Sequence, residues 1–468
     1  MHNCWVTGNG SDGKTPTVAV VGLGKIGLPL AITYVRRGYR VIGCDIDPQV
    51  VQAINCGQSH IHEEPGLEVA VADAVACNML SATHETARAV READTVVIIV
   101  PVLTDSRHRP DLRAIDAATS ATAAGLAPGK LVIYETTLPV GTTAGHLRHL
   151  LEDISQLNAG HDFYLAFSPE RVRSGQILRD LAIYPKVVGG VNKASTAAAE
   201  AFYRSVLDVE IITMAHANEA EFVKLIENTY RDVNIALANE LACEADRLGL
   251  DMTAAIAAAN TQPQSNIHEP GVGVGGHCIP LCSYFLLNDV REGLELVRQA
   301  RVINDGMAEY AAKRIELELD SLVGQTILVL GVAYRGDVRE TAYTSTRFLQ
   351  EALTARGATV FIHDPLFTEP ELVAAGYTPL QPERARKVSA IVLQASHTAY
   401  RNLDFSQFSA CKVVLDGRCG LEQELVESQG MRYISIGDGR RPRSVQATPL
   451  RLMGQAAEDD SRRREVRA

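Results

Sequence analysis

The chain predicts an α/β protein with two Rossmann-like, doubly wound domains joined by a central all-helical region that contains one long helix. Three observations carry this. A glycine-rich turn, Gly22-Leu23-Gly24-Lys25-Ile26-Gly27, lies between a β-branched run and an apolar helical pattern. Strand and helix patterns alternate before residue 216 and again after residue 320, as they do in parallel sheets covered by helices. Between those stretches the pattern is almost wholly helical. At roughly 150 residues per domain, a length of 468 residues also suggests about three domains.

Taken in order, Thr17–Val21 reads as the first strand, followed by the glycine turn and a helix to about Arg37. Arg40–Cys44, Asp94–Val100 and Leu131–Tyr134 read as further buried strands. Two long helical stretches follow, Asn218–Leu248 and Val290–Leu319; the second has no proline and reads as one continuous helix. Between them sits a glycine-rich loop, Pro270 to Pro280. Strands return at Ile327–Leu330, Thr359–Ile362, Ser389–Leu393 and Val413–Leu415, with a helix over Ser345–Arg356. Residues 1–16 and 441–468 read as mobile, solvated ends.

Composition narrows the functional class. The net charge of −11 excludes a general nucleic-acid binder, which needs a basic face. A phosphate site here must therefore be built locally, from backbone N–H groups and a few Arg or Lys. The first 16 residues lack the apolar segment of a secretory signal, and the most apolar stretch, Thr95 to Leu103, is too short to span a bilayer. The nine cysteines form no even framework, so reduced thiols, a cytoplasmic location and no membrane partner are expected.

The turn Gly22-x-Gly24-x-x-Gly27 has the surroundings a dinucleotide fold requires: a strand before it, a helix after it, and Asp45 at the end of the next strand. Its glycines let the backbone approach a pyrophosphate at a helix N-terminus. Asp45 would bond a ribose 2′-hydroxyl and repel a 2′-phosphate, which favours NAD over NADP. The Lys25 side chain is expected to face solvent.

Four clusters carry the remaining chemistry. Lys224 and Asn228 are four apart in a helical stretch and share a face, a donor pair suited to an oxyanion. An isolated pair of this kind is more often a solvated surface. Tyr134-Glu135-Thr136-Thr137 and Phe167-Ser168-Pro169-Glu170-Arg171 each follow a strand, where ligands bind in open α/β sheets, although turn and cap chemistry explains either cluster alone. Finally, Gly271-Val272-Gly273-Val274-Gly275-Gly276-His277-Cys278 places a thiol after a run of glycines, where it could attack an aldehyde. Zinc on His277, Cys278 and Cys282 lacks a second ligand pair at metal spacing, so no metal is expected.

Together these motifs resemble the UDP-glucose/GDP-mannose dehydrogenase family over Thr17 to about Gly437. The resemblance rests on VVGLGKIGLPLA, GCDID, IIVPV, ETTLPVGT, SPERV, the Lys224/Asn228 helix, GVGGHCIP, and late VLGVAYRGDVRET with HDP. It implies an NAD-binding domain over 17–215, a central dimerisation and active-site region over 216–320, and a UDP-sugar-binding domain over 321–440. It implies a four-electron oxidation of a UDP-sugar C6 hydroxymethyl to the acid, with NAD as cofactor and Cys278 as covalent nucleophile. Lys224 and Asn228 would stabilise the oxyanion, while Glu170 and Thr137 would handle the hydrolytic water. The cofactor would meet Gly22, Gly24, Lys25, Ile26, Gly27, Asp45, Pro101 and Thr137. The sugar nucleotide would meet Glu170, Arg171, Lys224, Asn228, Gly273, Gly275, Gly276, His277 and Arg335.

GVGGHCIP and SPERV look more like UDP-N-acetylmannosamine or UDP-N-acetylglucosamine 6-dehydrogenases than UDP-glucose 6-dehydrogenases. The chain departs from the family at Cys282, where an Asp is usual, at RETAYTSTR, which lacks the usual Arg-Ser-Pro run, and at Arg335, which stands for a Lys. At Cys282 a redox pair with Cys278 in a flexible Gly/Pro loop competes with simple packing as a small hydrophobe, and packing is favoured. Two further readings are a two-electron β-hydroxyacid dehydrogenase, which would need neither Cys278 nor a second α/β domain, and an NAD/UDP-sugar-binding protein of weak turnover.

Overall fold

The computed structural model describes residues 15–105, 107–288 and 293–440; the mobile ends expected from the sequence lie almost wholly outside that range. The chain forms two units, Met1–Glu227 with Tyr284–Asp289, and Asn228–Ser283 with Val290–Ala468.

The first unit is built on an eight-stranded sheet. Its strands are β1 Thr17–Val21, β2 Arg40–Cys44, β3 Leu80–Thr83, β4 Thr95–Ile98, β7 Leu131–Tyr134, β8 Tyr164–Phe167, β9 Lys186–Gly190 and β10 Ile211–Thr213; a two-stranded hairpin, β5 Leu103–Thr104 with β6 Pro110–Asp111, projects between β4 and β7. The order is β10-β9-β8-β7-β4-β1-β2-β3. Every pair is parallel except β8 with β9. The Val- and Ile-rich strands β1 and β4 are buried along their whole length, as in a sheet covered on both faces. The chain runs outward through β2 and β3 and then returns to β4 on the other side of β1. This reversal opens the crevice in which such sheets bind ligands, at the carboxyl ends of β1 and β4.

The second unit has a five-stranded parallel sheet in the order β12-β11-β13-β14-β15. Its strands are β11 Thr326–Leu330, β12 Thr359–His363, β13 Ala390–Leu393, β14 Val413–Asp416 and β15 Arg432–Ser435. The same reversal recurs between β11 and β13.

The helical stretch is real, with adjusted ends. One helix covers Ala217–Leu248, and the last long helix begins at Glu295 and ends at Leu319. Residues 290–292 of the expected Val290–Leu319 helix lie outside the described residues, and Gly293 and Leu294 precede the helix in positive-φ conformations. The glycine loop also ends earlier than its composition suggests, because a helix over Ile279–Asn288 starts directly after Cys278. Among the described residues no helix is long and apolar enough to cross a membrane.

Buried ionic contacts tie the second sheet to its helices. Arg314, on the Glu295–Leu319 helix, pairs with Asp246 and, at 3.0 Å, with Asp438. Asp246 also accepts from the Tyr310 hydroxyl at 2.6 Å and from the Gly437 and Gly439 N–H groups at 3.1 and 3.0 Å. A buried charge is tolerated only when its hydrogen-bonding capacity is met in this way.

Candidate active site: two glycine segments and their braces

In the first unit the turn 22–27 shows why its glycines are needed. Gly22 has φ +97°, and a Cβ there would lie 2.7 Å from the Ile99 carbonyl oxygen of the neighbouring strand end. A Cβ on Gly27 would lie 1.9 Å from the Gly22 oxygen, so the helix start packs against the turn itself. Gly24 differs, because nothing stands within 4 Å of its Cβ position, so its side is open to a ligand. No side chain caps the Gly27–Arg36 helix, but Leu28 donates its N–H to the Gly24 carbonyl at 3.2 Å and Pro29 has none, so a phosphate would be met by the N–H groups of the glycine turn itself.

Asp45 has a task beyond the one expected from sequence. Its carboxylate accepts from the Leu23 N–H at 2.9 Å and from the Asp47 N–H at 3.0 Å, so it braces the glycine turn from the end of β2. Ile46 beside it is 97% exposed, an apolar shelf beyond the strand end. Pro101 is exposed past β4, and the Lys25 side chain lies at the surface, 3.9 Å from Glu63.

The TyrGluThrThr cluster after β7 divides into structural and open parts. Glu135 is fully buried and accepts from Lys186 at 2.7 Å, Tyr203 at 2.6 Å and Tyr34 at 3.2 Å. Burial, reinforced by the adjacent Glu135 charge, holds both tyrosine hydroxyls well above their ordinary range, so both remain donors. Thr136 donates to the Val100 carbonyl at 2.7 Å and ties the ends of β4 and β7 together. Thr137 is only half-buried.

The SPERV turn meets the Lys224 helix. The Lys224 ammonium sits 3.6 Å from the Glu170 carboxylate and donates to the Glu170 backbone carbonyl. The other Glu170 oxygen accepts from the Val172 N–H. Arg171 is committed to Glu227, at 3.0 to 3.3 Å, and to the Pro185 carbonyl at 3.2 Å, which fixes the turn on the helix. Lys224 and Asn228 are 4% and 5% exposed, so this pair is no solvated face.

One turn earlier on that helix, Glu221 is fully buried and accepts from Gly141 N–H at 2.5 Å and Thr143 N–H at 2.8 Å, holding the PVGT loop. Burial lifts its carboxyl to about 7, against the opposing hydrogen bonds. Sequence gives no signal of this, since both partners lie 80 and 78 residues away.

In the second unit the loop Gly271–Gly276 is buried throughout and packed on the turn after β11. A Cβ on Gly275 would lie 2.6 Å from the Tyr343 oxygen, and one on Gly276, which has φ +90°, would lie 2.8 Å from the Tyr334 ring. The Gly276 N–H donates to the Ala342 carbonyl at 2.8 Å. His277 is half-buried and Cys278 is exposed at the start of its helix. Burial pushes the Tyr334 hydroxyl up, against the opposing charge of Arg335.

Cys282 corrects the loop expectation. Its N–H donates to the Cys278 carbonyl at 3.2 Å within a helical turn, and its side chain is completely buried. A small hydrophobe packed under a helix accounts for the thiol.

Arg335 is exposed in the turn after β11, and buried residues hold that turn. Asp364, of the HDP motif, accepts from Val332 N–H at 2.7 Å and Ala333 N–H at 3.3 Å. The buried His397 contacts Asp364 through Nε2 at 3.1 Å, while its Nδ1 accepts from Asp337 N–H at 3.0 Å. That acceptance assigns the proton to Nε2.

Sequence reasoning passed over Arg418. It follows β14, donates to the Gly273 carbonyl at 3.0 Å and the Gln394 carbonyl at 2.8 Å, and keeps its charge although burial lowers its titration to about 10. Its position past a strand end was the available signal. Nearby a cavity of about 650 Å³ is lined by Arg231, Thr253, Asn260, His268, Glu269 and Cys419, a size suited to a small ligand.

Comparison with known proteins agrees with this layout. Residues 16–207 match the NAD binding domain of the UDP-glucose/GDP-mannose dehydrogenase family, 218–306 its central domain and 328–423 its UDP binding domain. A UDP-N-acetyl-D-mannosamine dehydrogenase of Pyrococcus horikoshii is 35% identical over 430 residues, covering 90% of this chain and 99% of its own. An NDP-N-acetyl-D-galactosaminuronic acid dehydrogenase of Ralstonia nicotianae is 34% identical, covering 86% and 95%. The solved structure of the P. horikoshii UDP-D-ManNAc dehydrogenase superimposes with a TM-score of 0.83 at 35% identity, over 90% of this chain and 99% of that one.

Two outcomes are expected. Replacing Asp45 with Ala removes the turn brace together with the carboxylate expected to meet a ribose 2′-hydroxyl. NAD should bind more weakly and the preference over NADP should narrow, measured as kcat/KM for each; wild-type enzyme using both equally would overturn the assignment. Glu221 binds its proton more tightly in the folded chain than in the unfolded one, so its stabilisation is complete below pH ~4.5 and falls as pH rises to about 7. Between pH 5 and 8 wild type should lose on the order of 2–3 kcal/mol relative to Glu221→Gln, at 1.36 kcal/mol per unit. Parallel denaturation curves at both pH values would contradict this.

Proposed function

Because this chain belongs to the UDP-glucose/GDP-mannose dehydrogenase family, we propose that it is a UDP-N-acetylhexosamine 6-dehydrogenase, with UDP-N-acetylmannosamine as first candidate, that carries C6 from alcohol to carboxylate in two oxidations. Residues 17–215 serve as the NAD domain, 216–320 as the catalytic and dimerising region, and 321–440 as the UDP-sugar domain. The observation that carries the reading is the exposed Cys278, placed at a helix N-terminus directly after a buried glycine segment. The positive end of a helix favours negative charge on the thiol.

The Gly22–Gly27 turn, the open side of Gly24 and Asp45 fit NAD; two NAD in succession would each accept one of the two hydrides leaving C6. Cys278 adds its thiolate to the aldehyde carbon, forming a thiohemiacetal that keeps the half-oxidised sugar bound. The Lys224 ammonium and the Asn228 amide stabilise the resulting oxyanion. Loss of the second electron pair leaves a thioester. Glu170, with Thr137, takes a proton from the water that attacks it, and Cys278 departs as thiolate. The Lys224–Glu170 contact of 3.6 Å supports this assignment, since it fixes the carboxylate beside the ammonium. Gly273, Gly275, Gly276, His277 and Arg335 hold the sugar nucleotide, and Arg171 contributes by fixing the Glu170 turn.

A homodimer is part of the same proposal. Phe222, Ile226, Tyr230, Leu237, Leu241 and Leu248 are all exposed on the Ala217–Leu248 helix at spacings of four and seven, one apolar stripe that a second copy would cover.

NADH formed per sugar tests the reaction. Two per UDP-N-acetylmannosamine is expected; one would indicate a two-electron dehydrogenase, none a binding protein, and faster turnover of UDP-glucose would overturn the substrate assignment. Cys278→Ala should reduce kcat by at least about a thousandfold with UDP-sugar affinity nearly unchanged. Full carboxylate production by that variant would rule out covalent catalysis. Leu237→Glu with Leu241→Glu should yield monomers by sedimentation velocity; an unchanged sedimentation coefficient would refute the stripe as the dimer contact.

A further inference from the structure

We propose that Asp232 is a positioning residue for Cys278, a single buried carboxylate that clamps both flanks of the nucleophile segment. The inference deepens the reading of Cys278 as nucleophile and rests on it.

The clamp is visible bond by bond. Asp232 is fully buried on the Ala217–Leu248 helix. One carboxylate oxygen accepts from the Ser283 hydroxyl at 2.6 Å. Ser283 stands on the Ile279–Asn288 helix, five residues beyond Cys278. The other oxygen accepts from Arg301 at 2.8 Å and from the Asn304 amide at 2.7 Å. Asn304 in turn accepts from Asn239 at 2.9 Å, and Asn239 accepts from the Gly271 N–H at 2.9 Å. Gly271 opens the glycine loop, seven residues before Cys278. Both ends of the segment that presents the thiol therefore lead to the same carboxylate.

A purely structural account explains this arrangement less well. Residues packed only for stability can be apolar, and a buried carboxylate carries a desolvation cost that apolar packing avoids. Here Asp232, Asn239, Ser283, Arg301 and Asn304 are each 5% exposed or less, and their bonds form a directional network with defined angles. Direction is what the segment lacks on its own, because Gly275 and Gly276 bring no side chains and Cys278 is exposed. A nucleophile must be held to a fraction of an ångström for near-attack geometry, and misplacement by about 1 Å costs on the order of a hundredfold in rate.

The test compares Ser283→Ala, which cuts only the helix-side bond, with Asp232→Asn, which weakens both sides. Each variant is assayed for kcat and KM and labelled with iodoacetamide, and peptide mapping gives the ratio of Cys278 to Cys56 labelling. Cys56 is exposed in the other unit and serves as an internal reference. Ser283→Ala should lower kcat by about tenfold or more with KM within about twofold, and shift the labelling ratio by about threefold or more, while Ser283→Thr, which keeps the hydroxyl, should restore both. A kcat and labelling ratio within twofold of wild type in Ser283→Ala would overturn the clamp. So would a parallel rise in Cys278, Cys56 and buried Cys282 labelling, which reports general loosening. Should Asp232→Asn fail to fold, Ser283→Ala still decides the matter. Full activity of Cys278→Ala would remove the nucleophile reading, and the labelling ratio then judges the clamp independently.

Discussion

Backbone passing against backbone is the constraint on which both halves of the proposed chemistry depend. At Gly27 a Cβ would come within 1.9 Å of a carbonyl oxygen, and at Gly275 within 2.6 Å. No rotamer relieves such a contact, because the obstacle is main chain. Each segment therefore gives up side-chain packing so that one stretch of backbone can pass close against another. Holding a chain without side chains falls to neighbours: Asp45 for the first turn, and Asn239, Arg418 and Tyr334 for the second. The glycines permit the approach, and charged or aromatic residues from other elements set its geometry.

The two units solve the same problem with different charges. The β7 end relies on Glu135, buried among Lys186 and two tyrosine hydroxyls. The β11 end relies on Asp364 and His397, which take three backbone N–H groups of the turn that carries Arg335. In the first unit the buried acid lies two residues before the half-buried Thr137, and in the second the buried pair holds the turn on which Arg335 is exposed. Polar residues crowded at a strand end thus include both frame and site.

Much of this was legible in the sequence, for physical reasons. The Gly22–Gly27 turn could be read because its spacing, strand, helix and Asp45 are all local. The strand cores could be read because buried parallel strands are runs of Val, Ile and Leu, although their ends moved by one or two residues. What stayed hidden depends on contacts distant in sequence. The dual use of Asp45, the raised carboxyl of Glu221 and the role of Arg418 each require partners 22 to 145 residues away. The burial of Lys224 and Asn228 was also out of reach, since a helical face in isolation shows neither what covers it nor whether anything does. Cys282 was misplaced because Gly and Pro around it suggested a loop, whereas Pro280 sits in the first turn of a helix, where proline is tolerated.

Asp232, Asn239 and Asp246 stand seven residues apart on one helix, and all three are buried. Seven residues are nearly two turns, so the three fall within about 20° of one another per step along a single stripe roughly 20 Å long. That stripe is a ruler, and a ruler has no tolerance for a missing mark. Deleting one residue between Asp232 and Asp246 would turn everything beyond it by about 100°. It would take either the Asp232 network or the Arg314 pair away from its partner. Drift in length over this stretch is therefore forbidden even where individual side chains are free to change, and insertions have to collect in the loops. A helix that looks like filler between two sheets is the part of the chain whose count of residues is least negotiable.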